Sequence, residues 1–250
     1  MNSSDSLKGL LPLSILQIGC GSFGMHLKKH LESRVESLIV ISGKDASLPD
    51  PSQFDLIFLA ANDSSLKSLI SEIRKTAPQV DMVHFSGFHY FKETLGLHPV
   101  ASFNKKSKYN LDEITFVADG IVDENLKIIF PRSRQIHPQK KQIYHTYLSV
   151  SANALQLLMN KIGQDFENEL DMKPDLLKKI VIQSLQEEVE KGSTSFSGPW
   201  IRGEKKLQDE TVDTIKSETL KNLNQLFLKE IKTFERHKEN HNKEGSHEHS

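Results

Sequence analysis

The feature that most constrains this chain is the run Gly19-Cys20-Gly21-Ser22-Phe23-Gly24, together with what flanks it. Ser14-Ile15-Leu16-Gln17-Ile18 ahead of it has strand character, and Met25-His26-Leu27-Lys28-Lys29-His30-Leu31 behind it spaces its apolar residues as a helix does. A strand that runs into Gly-x-Gly-x-x-Gly and then into a helix is the pattern of a dinucleotide-binding turn. Each glycine has its own reason. Gly19 permits the tight turn, Gly21 lets a pyrophosphate approach the backbone, and Gly24 lets helix and strand pack closely. The unpaired N–H groups and positive end of the helix then face the anion.

The rest of the first half continues the same rhythm. Ser37-Leu38-Ile39-Val40-Ile41-Ser42 reads as a buried parallel strand, ending where such folds contact the adenine ribose. An acidic residue there would accept from the ribose hydroxyl and favour NAD. Ser42 and Lys44 stand there instead, a hydroxyl and a cation that suit a 2′-phosphate, so the reading favours NADP over NAD. A solvated loop lysine is the alternative for Lys44. Phe54-Asp55-Leu56-Ile57-Phe58-Leu59-Ala60-Ala61 is the next strand, and Ala60 is small enough for a cofactor to pass. Asn62 and its neighbours supply cap residues for a helix to about Thr76. Further strands are expected at 80–85, closed by Ser86-Gly87, and at 114–118. The alternation predicts a doubly wound α/β sheet over 13–130, Rossmann-like, with ligands outside the carboxyl ends of the strands. Gly96-Leu97-His98-Pro99 is expected as a loop at those ends.

Pro131 to Pro138 reads as a polar, proline-bounded connector. Beyond it the periodicity is helical, so a smaller all-α domain is expected over 140–237, with helices at about 174–190 and 210–237. Residues 238–250 have the composition of a solvated tail.

Bulk properties narrow the function classes. With 32 basic and 33 acidic residues, no electrostatic footprint for nucleic acid or an anionic membrane is present. No run approaches the ~20 apolar residues of a membrane span. A lipoprotein signal ending at Cys20 is a poor reading, because Gln17 interrupts its apolar run and cleavage would remove the first strand. The single cysteine fits a reducing compartment, and the chain reads as cytoplasmic. No Cys or His spacing reads as a metal site.

Five short segments then acquire a joint meaning: Gly19 to Gly24, Val83-His84-Phe85-Ser86-Gly87, Leu97-His98-Pro99, Tyr144-His145 with Asn153, and Ser197-Gly198-Pro199-Trp200-Ile201-Arg202-Gly203-Glu204. In that order they resemble the bacterial proteins that join a Rossmann-like NADP-binding domain to the domain of unknown function numbered 2520. That group is related to 6-phosphogluconate dehydrogenase, ketopantoate reductase and pyrroline-5-carboxylate reductase. The resemblance implies a dehydrogenase or reductase and a homodimer through the helical domain, and it names no substrate. Ser197 and Glu204 stand where the family usually has Thr and Asp, and 207–219 lacks a histidine that relatives tend to carry.

Candidate site residues follow from this. For the cofactor they are Gly19, Gly21, Ser22, Phe23, Gly24, Ser42, Lys44, Ala60, Asn62 and Ser86. His145, Ser149 and Asn153 are spaced i, i+4, i+8 and fall within an arc of about 80° on one helix. His145 is a candidate proton donor and Asn153 a candidate holder of a carbonyl or hydroxyl, with Ser149 beside them. Arg202 has the fork to grip a carboxylate or phosphate, and His98 belongs to the sheet side of the same expected cleft. The plainer alternatives are buried hydrogen-bonders for His145 and Asn153 and a loop-tying arginine. His84 reads as a core residue, Cys20 as a small filler, and Trp200 as a packing anchor. The leading expectation is an NADP-dependent oxidoreductase acting on a small polar substrate between two domains. The alternative is a non-catalytic dinucleotide-binding sensor or dimeric assembly protein.

Overall fold

The structure is a computed structural model that describes residues 11–42, 48–104, 106–192, 202 and 204–230. Lys44, the 193–201 stretch with Trp200, Gly203 and the 238–250 tail lie outside the described residues.

Strand β1 (Leu11–Ile18) shows why a sheet forms here. Ile15 joins one core cluster, whereas Leu16 and Ile18 join another, so successive side chains feed opposite faces. Both faces are covered, which is what a central parallel strand requires. Helix α1 (Ser22–Leu31) buries Gly24, Leu27 and Leu31 on the Ile15 face. Strand β2 (Val35–Ile41) pairs parallel with β1, with Ile15 opposite Leu38 and Ile18 opposite Ile41. Strand β3 (Leu56–Leu59) pairs with the other edge of β1. Helix α2 (Asp63–Thr76) lays Leu66, Ile70 and Ile73, at i, i+4 and i+7, on the face carrying Leu16 and Ile57. Burying one such leucine or isoleucine contributes roughly 1.5–3 kcal/mol. The sheet continues through β4 (Asp81–His84), β5 (Leu95–Pro99), β6 (Phe116–Ala118) and β7 (Ser133–Gln135), in the order β2-β1-β3-β4-β5-β6-β7. Strands β1 to β5 run parallel, β6 is antiparallel to β5, and β7 is parallel to β6. The order reverses between β1 and β3, which makes that crevice the topological switch point.

Three segments differ from the sequence reading. The 96–99 stretch, expected as a loop, is strand β5: Leu95 and Gly96 pair with Val83 and His84, and Leu97, His98 and Pro99 pair with β6. Pro99 is tolerated because it stands at the strand's last position, where no long ladder continues. The expected connector at 131–138 contains β7, preceded by the short helix α3 (Glu124–Ile129). Leu11 and Pro12 belong to β1, two residues ahead of the start expected at 13.

The chain divides into two compact units, Met1–Val150 and Ser151–Ser250. The division falls inside helix α4 (Lys141–Leu170), beyond the position 140 expected for the start of the helical half. The second unit contains the rest of α4, α5 (Asp175–Lys191), α6 (Lys205–Thr214) and a helical stretch at 218–230. Gly163 lies close against Pro174, where an added Cβ would come within 3.2 Å of Pro174 Cβ. The single helix expected at 210–237 is interrupted at 215–217. Ser217 explains the break: its Oγ accepts from the Leu220 N–H at 3.4 Å and donates to Asp165 Oδ2 at 2.5 Å. A serine that caps a new helix end this way competes with continuing the old one. No apolar residue beyond Phe130 is buried among the described residues.

Candidate functional site

The turn after β1 is built by packing on every side but one. Gly19 has φ +116°, a left-handed conformation, and a Cβ there would overlap the Ala60 carbonyl. Its N–H donates to the Ile41 carbonyl at 2.9 Å, and the Ala60 N–H donates to the Ile18 carbonyl at 2.8 Å. Gly24 is closed in the same way, since a Cβ would overlap the Gly19 carbonyl. Gln17, fully buried, staples the turn: its amide Nε2 donates to the Gly19 carbonyl at 2.9 Å and to the Gly24 carbonyl at 2.8 Å. Gly21 differs from both. A Cβ there meets nothing within 4 Å, and Gly21 is the N-cap of α1 with no side-chain cap and no acidic residue in the first turn. The first N–H groups of α1 are therefore turned to an open space that favours an anion.

That space opens on a cavity of about 550 Å³ at the switch point. Gly19, Gly21, Ser42, Ala60 and Asn62 all line it, so five of the ten cofactor candidates are brought together. One face of α2 completes the wall through Ser65, Ser68, Leu69 and Glu72. The other candidates are placed differently. The ring of Phe23 turns inward against Phe85 and Phe103, at centroid distances of 4.7 and 5.0 Å. Ser22 begins α1, and its carbonyl accepts from His26 Nδ1 at 2.7 Å. Ser86 is buried, and its Oγ accepts from the N–H groups of Phe88 and His89 at 3.3 and 3.0 Å, which closes the turn after β4.

A second cluster gathers at the ends of β4 and β5. Gly87 lies between two imidazoles: a Cβ there would overlap His145 and stand 2.7 and 2.8 Å from His98 Cδ2 and Nε2. The rings of His98 and His145 are 5.4 Å apart and nearly perpendicular, and Phe88 stands 6.1 Å from His145. Tyr144, on the first turn of α4, meets His98 through a hydrogen bond of 2.9 Å between Oη and Nδ1. Burial, the His145 charge and the Lys141 charge lower the His98 pKa to about 4, and burial raises Tyr144 to about 12. Both groups are therefore neutral near pH 7, an imidazole and a phenol that can each give or take one hydrogen bond.

The two clusters share one edge of the sheet. Gly19 follows β1 and His98 nears the end of β5, three strand spacings away, or roughly 14 Å. Ser149 lies one turn beyond His145, half-buried, while Asn153 is exposed and belongs to the second unit. Arg202 also belongs to the second unit, where its Nε pairs with Glu204. Among the described residues no group of His, Cys, Asp or Glu is arranged to hold a metal ion, and no helix is long and apolar enough to cross a membrane. Gln17 and Tyr144 are site residues that the sequence reading assigned no role. Only Gln17 has a local signal, a lone amide inside an apolar strand.

Buried histidines also set a pH signature. His84 is fully buried, its Nδ1 accepts from the Ser86 N–H at 3.3 Å, and its Nε2 has no partner. Burial, then the Lys141 and His89 charges, lowers its pKa to about 3. An unfolded histidine takes up its proton near 6.5. Stability is therefore full above that pH and falls as pH drops through the window down to about 4 for His98 and about 3 for His84. Urea midpoints are expected to be lower at pH 5.0 than at pH 7.5, and His84→Gln should narrow the difference. Equal midpoints at the two pH values would contradict this placement.

The sheet order, the glycine turn and the switch-point cavity define a Rossmann-like α/β fold with a helical C-terminal part. Among solved structures the chain is similar to a provisionally assigned NADP oxidoreductase from Bacteroides fragilis, at 16% identity and a TM-score of 0.69, covering 88% of this chain and 98% of that one. It is similar to protein TM1727 from Thermotoga maritima at 19% identity and a TM-score of 0.63, covering 89% and 99%. It is also similar to Plasmodium falciparum pyrroline carboxylate reductase with NADP bound, at 16% identity and a TM-score of 0.55, covering 90% and 94%. No family model matches the chain, and no curated protein sequence matches it.

Proposed function

We propose that this chain is an NADP-dependent oxidoreductase that transfers a hydride to or from a small polar substrate. It would be a distant member of the group with the domain of unknown function numbered 2520. The observation that carries the reading is the open Cβ space at Gly21, set between two glycines that packing leaves no room to change. A turn built only to connect strand and helix has no need of the middle glycine, whereas a pyrophosphate does. Gly21 and the first turn of α1 would hold the phosphates, and Ser42 the adenosine end. When bound, the nicotinamide supplies the hydride.

The chain's own residues would supply the proton and the geometry. His145 would give a proton to the developing alkoxide or amine. His98 and Tyr144, neutral and hydrogen-bonded to each other, would orient the reacting group. Ser149 and Asn153 continue the same helix and remain candidates for substrate contact. NADP is favoured over NAD because the sequence offers Ser42 and Lys44, and no acidic residue, at the ribose end, with Ser42 on the cavity wall, and by the NADP in the Plasmodium reductase of similar fold.

The first experiment is a thermal shift with NADPH, NADP, NADH and NAD in parallel. A ligand at 100 times its Kd adds about 2.7 kcal/mol, a shift of roughly 5–10 °C for a chain of this size. A shift with the phosphorylated pair is expected, and no shift with any of the four would overturn the reading. The rival, a sensor without catalysis, is excluded by stereospecific deuteride transfer from labelled NADPH to any member of a panel of ketones, 2-oxo acids and cyclic imines.

The reading includes a homodimer through the helical unit. Its support is that α5 and α6 bury none of their residues, leaving Ile180, Ile182, Leu185 and Val189 exposed, the last at 87%. Sedimentation is expected to give a species of twice 28.4 kDa at micromolar concentration, and a monomer alone would contradict it.

A further inference from the structure

Lys141 is the first residue of α4, yet its side chain runs inward. It meets Asp119, just past β6, with 2.5 Å between Nζ and Oδ2, and each side chain is 1% exposed. The other carboxylate oxygen accepts from the Gly96 N–H at 2.7 Å, and the Asp119 N–H donates back to the Gly96 carbonyl at 3.0 Å. Gly96 belongs to β5, and a Cβ there would overlap both Lys141 Nζ and Asp119. Three elements thus meet at one charged point, in a space that only glycine leaves open.

Stability is a poor reason for such a pair. Taking each ion out of water costs several kcal/mol, and a well-packed apolar pair of the same volume is often as stable or more so. A buried ion pair does, however, fix a register, because shifting either partner strands a charge. The register at stake here is that of α4 on β5. Gly96 and His98 are two residues apart and share a face of β5. Lys141 stands three and four residues before Tyr144 and His145 and shares a helix face with them. The ion pair and the His98–Tyr144 hydrogen bond are therefore neighbouring contacts between the same two elements.

We propose that Lys141 and Asp119 are positioning residues that lock the first turn of α4 onto β5 and so set the geometry of His98, Tyr144 and His145. The proposal rests on the reading of that cluster as the reactive site. Electrostatics act in the same direction. After burial and the His145 charge, the Lys141 ammonium is a further cause that keeps His98 neutral, and Asp119 holds that ammonium in place. The titratable groups around His98 are Tyr144, His145 and Lys141, all from α4, with Asp119 behind Lys141.

The test uses the full chain and two variants. Asp119→Asn keeps an acceptor for the Gly96 N–H and removes one charge; Asp119→Asn combined with Lys141→Met removes both and keeps the stem. The readouts are the His98 ring titration by NMR, NADPH affinity by titration, and NADPH oxidation against the panel above. NADPH affinity should stay within about twofold, since the glycine turn is a separate site. In the double variant, which takes away the ammonium, the His98 midpoint should rise, whereas in Asp119→Asn alone, which leaves that ammonium without its counter-ion, it should fall. In both, kcat should fall about tenfold or more with little change in KM. An unmoved His98 midpoint with unchanged kcat overturns the proposal, and so does a loss of melting temperature alone. A His98 that titrates near 6.5 in the unaltered protein overturns it without any variant. If no dinucleotide binds, the proposed function fails, and the His98 titration still decides this point.

Discussion

Gly87→Ala is expected to cut turnover about a hundredfold while leaving the fold and NADPH binding intact. The effect is local. Gly87 has no positive φ, so alanine meets no backbone strain. What it meets is side chains: the new methyl overlaps His145 and comes within 2.7 and 2.8 Å of His98. Both imidazoles have to move, and with them the hydrogen bond between His98 and Tyr144. A displacement of about 1 Å in a positioned group costs on the order of a hundredfold in rate, near 2.7 kcal/mol of transition-state stabilisation. The glycine turn lies at the end of β1, two strands beyond the end of β4, and has no part in this displacement. The measurement pairs kcat/KM on the best substrate of the panel with the NADPH-induced thermal shift. Full activity in Gly87→Ala would mean that the two histidines are packing residues and that the reaction happens elsewhere. His145→Ala is the companion variant, with the same expected loss and the same retained shift. It separates loss of the group from loss of its position.

How much of this was legible before the structure depends on the range over which each residue acts. The glycine turn is a local object: strand, turn and helix are contiguous, and Gly19, Gly21 and Gly24 carry their reasons in their spacing. Gln17 is legible as an anomaly, but its role is not. Its two acceptors are carbonyls of the turn, and only the fold shows that the amide points along the α1 face toward them. Strand β5 escapes detection because its stretch contains a glycine and ends in proline, both poor strand formers. Long-range pairing with β4 and β6 overrides that weak preference. Strand β7 is polar, lies at the sheet edge, and gives no apolar alternation to read. The His98–Tyr144 bond joins residues 46 apart, and the Asp119–Lys141 pair joins residues 22 apart. Such contacts depend on tertiary placement, which periodicity does not encode. His145 is conspicuous as a histidine on a helix face, whereas Tyr144 beside it carries only the family resemblance, and its bond to His98 depends on the fold.

The glycine turn itself gives the other large expectation, and its force lies in a contrast between two identical substitutions. Gly19→Ala puts a side chain at φ +116° and drives a methyl into the Ala60 carbonyl. Backbone strain of 1–3 kcal/mol and overpacking of 1–3 kcal/mol together predict a loss of about 3 kcal/mol. For a chain of this size that is a fall of roughly 6–12 °C in Tm, seen with or without ligand. Gly21→Ala meets neither cost. Its φ of −66° and ψ of −173° suit alanine, and nothing lies within 4 Å of the new methyl. Its Tm should match that of the unaltered chain. The methyl does, however, occupy the space in front of the α1 N–H groups. Losing one hydrogen bond to a charged phosphate costs about 1.5–3 kcal/mol, so NADPH affinity should fall roughly 10- to 100-fold. The pair thus separates what the turn needs from what its ligand needs. A Gly21→Ala chain that keeps both its Tm and its full NADPH shift would show that the open space at Gly21 is not where the phosphates lie.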